Sequence, residues 1–118
     1  MEKYSRPWGT YEILLDAPYC KVKRITVDSL QRLSYQYHHK RSEAWTVVSG
    51  VGKVTLNDQE VPVATGDVIQ IPQETRHRIE NNGDEKLIFI EVQHGTYFGE
   101  DDIVRLEDDY NRGDKCQN

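Results

Sequence analysis

The sequence predicts an all-β fold, either a small barrel or a jelly roll. β-rich segments recur at intervals of about ten residues with turn residues between them. No segment keeps an apolar repeat of helical period for three turns. With 118 residues the chain has room for one domain. We therefore expect a single domain over residues 1–118, with its core at about 20–93, an N-terminal arm at 1–19 and a C-terminal segment at 94–118.

Turn residues separate the predicted strands along the chain. Gly50 and Gly52 interrupt one run, and Gly66 lies in a turn because glycine adopts backbone conformations that other residues resist. Pro62 lacks an amide hydrogen, so we expect its strand at a sheet edge. The predicted strands span residues 21–27, 34–38, 44–49, 53–56, 61–64, 68–71, 77–80 and 86–93, with further turns at 57–58, 65–67 and 82–84. The acidic segment 94–110 is expected to form a docking strand or a short helix, and residues 111–118 to fray.

Composition and charge exclude several function classes. The net charge of −5 gives no electrostatic footprint for nucleic acid. No apolar run approaches the roughly 18–20 residues that span a bilayer, and the N-terminus lacks the apolar stretch of a signal peptide. We therefore expect a cytoplasmic protein with Cys20 and Cys116 as free thiols. Because only 36% of the residues are hydrophobic, the core is thin and a homodimer is expected to complete its burial.

Four side chains form a candidate metal site. Gln36 and His38 are two residues apart, so on a strand they project from the same face. Glu43 opens the next strand, and His77 comes from a different hairpin. Two imidazoles, a carboxylate and an amide oxygen suit a divalent first-row metal. We predict that these four residues hold one such ion, zinc before manganese, cobalt, nickel or iron.

The spacing of these residues resembles the two motifs of the cupin superfamily. The pattern Gly-x5-Pro-x4-His-x3-Asn over residues 66–81 matches the second motif, except that Glu74 replaces the usual glycine before the histidine. Over residues 36–50 the first motif keeps its glutamate and its closing glycine. Its usual His-x-His is here Gln36-x-His38. The resemblance implies a cupin double-stranded β-helix, a jelly-roll barrel with the metal ligands on its inner face.

The glutamine at position 36 points to one branch of that superfamily. The run Arg-Pro-Trp-Gly-Thr-Tyr-Glu over residues 6–12, with the segments 22–27, 33–45, 90–93 and 99–105, resembles the type II phosphomannose isomerase domain. In that family the domain usually forms the C-terminal part of a bifunctional mannose-6-phosphate isomerase and mannose-1-phosphate guanylyltransferase. The present sequence has no counterpart of the guanylyltransferase part, so a stand-alone domain is expected. Lys40 and Ala44 stand where the family often has histidine.

The resemblance implies metal-dependent interconversion of mannose 6-phosphate and fructose 6-phosphate, in the synthesis of mannose-derived polysaccharides or nucleotide sugars. Moving a proton between C2 and C1 needs a general base and stabilisation of an enediolate by the metal. The candidate catalytic residues are Glu91, Lys40 and His39. Arginine offers phosphate a planar fork of donors, and the candidate phosphate-binding residues are Arg41, Arg78 and Arg105. Because Arg78 is offset by one residue from His77, it faces the metal only if the strand is bulged.

Two other functions remain open. One is a non-catalytic metal- or sugar-binding cupin module, which the missing histidines at positions 40 and 44 favour. The other is a different metal-dependent cupin enzyme, such as an iron dioxygenase. That branch normally carries a histidine pair where this sequence has Gln36 and His38. We therefore rank the dioxygenase last.

Overall fold

The computed structural model describes residues 2–110, and every regular element in that range is a β-strand. This confirms the all-β prediction. None of these residues belongs to a helix with the length and apolar character needed to cross a membrane. The strands are β1 (Lys3–Arg6), β2 (Gly9–Asp16), β3 (Lys21–Val27), β4 (Tyr35–Tyr37), β5 (Arg41–Ser49), β6 (Val51–Leu56), β7 (Gln59–Ala64), β8 (Val68–Ile71), β9 (His77–Glu80), β10 (Leu87–Gly95) and β11 (Val104–Glu107).

The strands form two antiparallel sheets that enclose the core. Sheet A has six strands in the order β1-β2-β3-β10-β5-β8, and sheet B has five in the order β11-β4-β9-β6-β7. From β3 onward the chain passes to the other sheet at every connection except the β6–β7 hairpin. This crossing pattern is typical of a jelly roll. Because side chains alternate along each strand, one face of each sheet points into the core and the other points outward.

Residues 3–16 form two strands of sheet A, although the sequence suggested only an arm for residues 1–19. β1 pairs with β2, and β2 pairs with β3 along its length. The register of the β2–β3 pair shifts between Ile13 and Leu15. This irregularity breaks the alternation of apolar and polar residues by which a strand is recognised in a sequence. The core therefore extends well before residue 20.

Aromatic residues of sheet A fill the core. Trp8, between β1 and β2, is 1% exposed, and Trp45 on β5 and Phe89 on β10 are equally inaccessible. The Trp45 and Phe89 rings lie with their centroids 4.8 Å apart. Burying one such side chain contributes roughly 1.5–3 kcal/mol to folding. A sheet with few hydrophobic residues can therefore still be stable around a small number of large ones.

The turns follow the residues that the sequence indicates. The β6–β7 hairpin turns at Asn57 and Asp58, whose φ angles of 46° and 69° lie in the left-handed region that these residue types tolerate. Gly66 has φ of 99° in the turn before β8. Pro62 lies on β7, which is an edge strand of sheet B as expected. These local signals set the hairpin registers, and the registers decide which side chains face inward.

The acidic C-terminal segment contributes a strand and not a helix. β11 pairs with β4 at the edge of sheet B, so of the two predicted alternatives the docking strand is the one that forms. The prediction that residues 111–118 fray lies outside the described residues, as does Cys116. Cys20 is a free, partly buried cysteine.

Hydrogen bonds of the Asn81 side chain connect the β9–β10 turn to sheet A. The side chain is fully buried. Its Nδ2 donates to the carbonyls of Val27 and Glu85 at 2.9 and 2.8 Å, and its Oδ1 accepts from the Gly83 amide at 3.0 Å. Every polar atom of the amide is thus used, and removing it would leave buried carbonyls without a partner.

Asn81→Ala is therefore expected to lower the free energy of unfolding by about 2–4 kcal/mol, since several buried groups lose their hydrogen bonds together. Urea denaturation followed by tryptophan fluorescence measures the change. The matched control is Asn82→Ala at the exposed neighbouring position, which should cost less than about 0.5 kcal/mol. Equal losses in the two variants would contradict the role given to Asn81.

Candidate metal centre

Strand pairing lines up three of the predicted site residues on the inner face of sheet B. Gln36 on β4 is the partner of His77 on β9, and Arg105 on β11 is the partner of Gln36. Residues paired directly across antiparallel strands project from the same face. His77, Gln36 and Arg105 therefore form one row of buried side chains across the sheet.

Sheet A supplies the carboxylate. Glu43 on β5 is paired with Gln93 on β10 and with Ile71 on β8, and it is 2% exposed. His38 lies just beyond the end of β4 and is equally buried. The ligand atoms that His38, Glu43 and His77 offer all lie within 4.8 Å of one another. A group of three such donors has the composition of a protein metal site.

Each histidine is fixed by a hydrogen bond from its Nδ1 atom. His38 Nδ1 lies 2.6 Å from the carbonyl oxygen of Asp102, and His77 Nδ1 lies 2.8 Å from that of Thr75. A carbonyl only accepts, so each Nδ1 carries the hydrogen and each Nε2 keeps its lone pair. His77 Nε2 is buried and has no hydrogen-bond partner. This is the tautomer and the orientation that a metal-binding histidine requires.

Burial and neighbouring charges hold these groups in the protonation states of ligands. Burial is the main cause that lowers the pKa of His38 to about 4, and it lowers the pKa of His77 as well. Burial is the largest influence and alone would raise the pKa of Glu43. The charge of Arg41, the two imidazoles and a hydrogen bond with Glu91 together outweigh burial and hold that pKa well below its ordinary value. At neutral pH the cluster therefore presents two neutral imidazoles and one carboxylate.

Arg41 lies inside the cluster. Its Nε donates to Glu43 Oε2 at 2.9 Å, and its Nη2 donates to His38 Nε2 at 3.3 Å. Trp45 Nε1 donates to the other Glu43 oxygen at 2.9 Å. Arg41 Nη1 is buried without a hydrogen-bond partner. The guanidinium thus contacts two of the three ligand side chains, so this position already accommodates a positive charge.

These observations fit a divalent metal. The Nε2 atoms of His38 and His77 and the carboxylate of Glu43 converge. Of these atoms, His77 Nε2 has no hydrogen-bond partner among the described residues. Gln36 lies in the same row as His77, and its Oε1 accepts from Ser34 Oγ at 2.9 Å. Gln36 as a fourth ligand stays a prediction.

A second group of polar side chains lies beside the cluster on sheet A. Glu91 on β10 is buried, and Gln93 Nε2 donates to its Oε2 at 2.6 Å. Burial, followed by the charge of Glu43, raises the pKa of Glu91 well above its ordinary value. Lys23 on β3 is the strand partner of Glu91, and it donates to Glu100 Oε2 at 3.1 Å. Two carboxyl groups with opposite pKa shifts therefore lie on adjacent strands.

Between these groups the interior leaves little free space. A cavity of about 10 Å³ is lined by polar residues, among them Gln36, Arg41, Glu91 and Lys23, and by aromatic residues that include Trp8 and Trp45. That volume holds about one water molecule. The cavity is a polar opening within the core, lined by ionisable side chains of sheet A and by Gln36 of sheet B.

The structure does not bring the other predicted residues to the cluster. His39 and Lys40 are exposed on the β4–β5 turn, where His39 lies near Glu74 and the Lys40 amine lies over the Tyr97 ring. Arg78 points to the outer face of sheet B, where its Nε donates to the Leu33 carbonyl and its Nη1 pairs with Glu107. The strand is regular at this position, so the offset from His77 turns Arg78 away, as its sequence position suggested.

Three contributors to the site were missed in the sequence. Lys23 shares a strand face with the apolar Ile25 and Val27, and this alternation indicated that Lys23 points into the core. Trp45 lies two residues after Glu43, the same spacing as between Gln36 and His38, and its indole donates to the Glu43 carboxylate. Asp102 had no such signal because it acts through its backbone carbonyl. Its side chain also accepts from the amides of residues 39 and 40 at 3.0 and 2.9 Å, which fixes the turn after His38.

Comparison with known proteins decides the family. Residues 1–108 match the family model described as mannose-6-phosphate isomerase C-terminal. The chain belongs to this family. Its fold is that of a cupin, and a cupin-2 domain from Rhodospirillum rubrum superimposes with a TM-score of 0.69 at 17% identity, over 76% of this chain and 62% of that one.

Two curated relatives come from polysaccharide biosynthesis. The xanthan biosynthesis protein XanB of Xanthomonas campestris is 46% identical over 93% of this chain and 24% of its own length. The alginate biosynthesis protein AlgA of Pseudomonas aeruginosa is 47% identical over 91% of this chain and 22% of its own length. The chain therefore spans about a quarter of the length of these relatives. The family is one of metal-binding cupins.

His77→Ala is expected to abolish stoichiometric metal binding, because it removes one of three converging donors. Metal content after dialysis against zinc, measured by inductively coupled plasma mass spectrometry, gives the result. His39→Ala, at an exposed histidine, is the control and should bind one ion per chain. Full occupancy in a folded His77→Ala protein would rule out the assigned cluster.

Asp102→Ala is expected to weaken metal affinity by about 10- to 100-fold, since supporting residues that orient a ligand typically have effects of this size. The variant loses the bonds to the amides of residues 39 and 40 that fix the turn after His38. Competition with a chromogenic chelator measures the affinity. Asp101→Ala, next to it and exposed, should bind as the wild type does. An unchanged affinity in Asp102→Ala would mean that His38 is oriented without this turn.

Proposed function

We propose that this protein catalyses the metal-dependent interconversion of mannose 6-phosphate and fructose 6-phosphate. The observation that carries the proposal is the adjacency of two sets of groups in the core. The His38, Glu43 and His77 donors lie next to Glu91, a buried carboxyl whose pKa is raised. Membership of the mannose-6-phosphate isomerase C-terminal family supports the same conclusion.

Glu91 is the proposed catalytic base. The reaction moves one proton from C2 to C1 and a second from the O2 hydroxyl to O1. A carboxyl group with a raised pKa can both take a proton from carbon and return it, because its proton affinity lies nearer to neutrality. Gln93 holds one oxygen of Glu91 and so fixes the orientation of the carboxyl group. Glu43 stays ionised beside it and cannot serve as the acid.

The metal would be held by His38, Glu43 and His77, with Gln36 as the proposed fourth ligand. It would supply a Lewis acid that stabilises negative charge on the substrate oxygens as the proton leaves carbon. Zinc is the ion that we propose, because imidazole and carboxylate donors suit it. Manganese, cobalt, nickel and iron bind the same donor types.

Arg41 and Arg105 are the proposed partners of the substrate phosphate. Both are buried on the inner side of the barrel, Arg41 in the cluster and Arg105 in the row with Gln36. A guanidinium group in a water-poor site binds phosphate through paired hydrogen bonds. We no longer include Arg78, because its donors are directed to Leu33 and Glu107 on the outer face. His39 and Lys40 would need the turn to rearrange before they could reach a substrate.

A second candidate function is a metal-binding module without catalytic activity. The size of the cavity favours it. About 10 Å³ is open at the site, whereas pockets for small molecules typically measure about 300 Å³ or more. Under the isomerase proposal, the Arg41 side chain and the segment that carries Glu100 move when substrate enters. Under the module proposal they stay where they are and the protein takes up metal alone.

Glu91→Gln is expected to lower kcat by about 10²- to 10⁴-fold while metal content stays at one ion per chain, because an amide cannot take the proton. A coupled assay of fructose 6-phosphate formation measures this, on protein stripped of metal and reloaded with zinc, manganese, cobalt, nickel or iron in turn. Glu60→Gln, at an exposed carboxylate on β7, serves as the control and should retain wild-type activity.

Wild-type protein that is folded and loaded with each metal, yet gives no turnover of either sugar phosphate, would contradict the isomerase and favour the binding module. Full activity in Glu91→Gln would keep the reaction but remove Glu91 as its base. The two failures are therefore distinguishable.

A further inference from the structure

Lys23 is a lysine whose side chain lies inside the core. The residue is 3% exposed, although lysine is almost never fully buried unless it is paired. Its Nζ lies 4.5 Å from the centroid of the Tyr11 ring and donates to Glu100 Oε2 at 3.1 Å. Lys21, two residues earlier on the same face of β3, has its Nζ 3.9 Å from the same oxygen. Two ammonium groups of one strand therefore face a single carboxylate.

The Glu100 carboxylate fits this place only in part. Its Oε2 atom meets both lysines, but its Oε1 atom is buried and has no hydrogen-bond partner among the described residues. A carboxylate oxygen can accept several hydrogen bonds, and leaving one buried without any is costly. The two ammonium groups are therefore paired with an anion that uses only one of its oxygens.

A third cation, Arg41, lies within the electrostatic reach of Glu100. Burial is the largest influence on the pKa of Arg41 and lowers it, but the carboxyl groups of Glu43, Glu91 and Glu100 outweigh burial and raise that pKa. Arg41 Nη1 is buried without a hydrogen-bond partner. Arg41 and Lys23 both line the polar cavity beside the metal cluster. The wall of the cavity on sheet A thus carries two buried cations, and one of them is paired with a carboxylate from a loop.

The loop that carries Glu100 is anchored at its two ends and not at its centre. Residues 96–101 connect β10 to β11, form no regular strand or helix, and include no buried residue. At one end the Thr96 amide donates to the Lys40 carbonyl at 3.0 Å. At the other end the buried Asp102 binds the amides of residues 39 and 40. Because Asp102 has these separate anchors, Glu100 can leave the lysines while the turn after His38 stays in place.

We propose that Lys23, together with Lys21 and Arg41, binds the phosphate group of the substrate, and that the Glu100 carboxylate occupies this site until phosphate displaces it. The inference rests on the proposed function and adds two lysines to its phosphate partners. A phosphate monoester carries a charge of about −1.5 to −2 near neutral pH and three strong acceptor oxygens. A carboxylate carries one charge and two oxygens. Phosphate therefore matches three cations better than Glu100 does, and Glu100 keeps the buried lysine paired while no substrate is bound.

Isothermal titration calorimetry of the metal-loaded protein, with inorganic phosphate and with mannose 6-phosphate, tests the proposal. Lys23→Met removes the ammonium group and keeps the length of the side chain, so it should weaken the binding of both ligands at least about 10-fold. Glu100→Gln keeps the shape and removes the competing charge, so it should tighten both at least about 10-fold. The controls Lys86→Met and Glu60→Gln make the same changes of charge at exposed positions and should bind both ligands as the wild type does.

Far-UV circular dichroism and metal content verify that each variant is folded and loaded. If Lys23→Met does not fold, Glu100→Gln decides, since the Glu100 side chain is 25% exposed and the amide preserves its shape. Affinities that neither variant changes beyond its control would overturn the proposal. Mannose 6-phosphate that binds no more tightly than inorganic phosphate would overturn the assignment of the site to the substrate.

These titrations do not depend on turnover, so the two proposals fail in different ways. Phosphate binding that responds to Lys23→Met and Glu100→Gln, in a protein without isomerase activity, would support the anion site and contradict the proposed function. Full isomerase activity with phosphate affinities that neither variant alters would support the proposed function and overturn the site at Lys23.

Discussion

The ion pair between Glu43 and Arg41 is the constraint on which the rest of the interior depends. A carboxylate that is 2% exposed loses nearly all of its hydration, and only a neighbouring positive charge and hydrogen-bond donors can keep it ionised. Arg41 supplies the charge, and the Trp45 indole supplies a further donor. Removing one partner of such a buried pair typically costs about 3–5 kcal/mol. The fold therefore maintains a site for a cation within its own core.

The two sheets have different parts in building that site. Sheet B presents His77 in a row with Gln36 and Arg105, and sheet A presents Glu43 and Glu91 on neighbouring strands. No single strand could bring these groups together, because side chains on one strand face are separated by about 7 Å. The Asp102 and Thr75 carbonyls then fix both imidazole rings with the hydrogen on Nδ1, so that each Nε2 keeps a lone pair directed into the cluster. The convergence of the donor atoms, the orientation of the imidazoles and the raised pKa of Glu91 thus follow from one arrangement of strands.

The sequence predicted much of this fold because its local signals agree with the global structure. β3, β8 and β9 have the predicted bounds, and the turns at Asn57 and Gly66 lie where the residue types indicated. β2 was missed because the irregular register between Ile13 and Leu15 disrupts its alternation, and β1 is only four residues long. For the site, spacing identified the residues that cluster, but not the position of Arg41 between His38 and Glu43. That contact depends on how a long side chain packs in three dimensions, which spacing alone does not determine.

The metal claim is tested most directly by anomalous diffraction from a metal-loaded crystal, measured at the absorption edge of the bound ion. We expect one strong peak per chain at about 2.0–2.2 Å from Nε2 of His38, Nε2 of His77 and a carboxylate oxygen of Glu43, with the Arg41 guanidinium moved away from His38. A fully occupied ion at another position, or no ion while Arg41 remains on both His38 and Glu43, would contradict it.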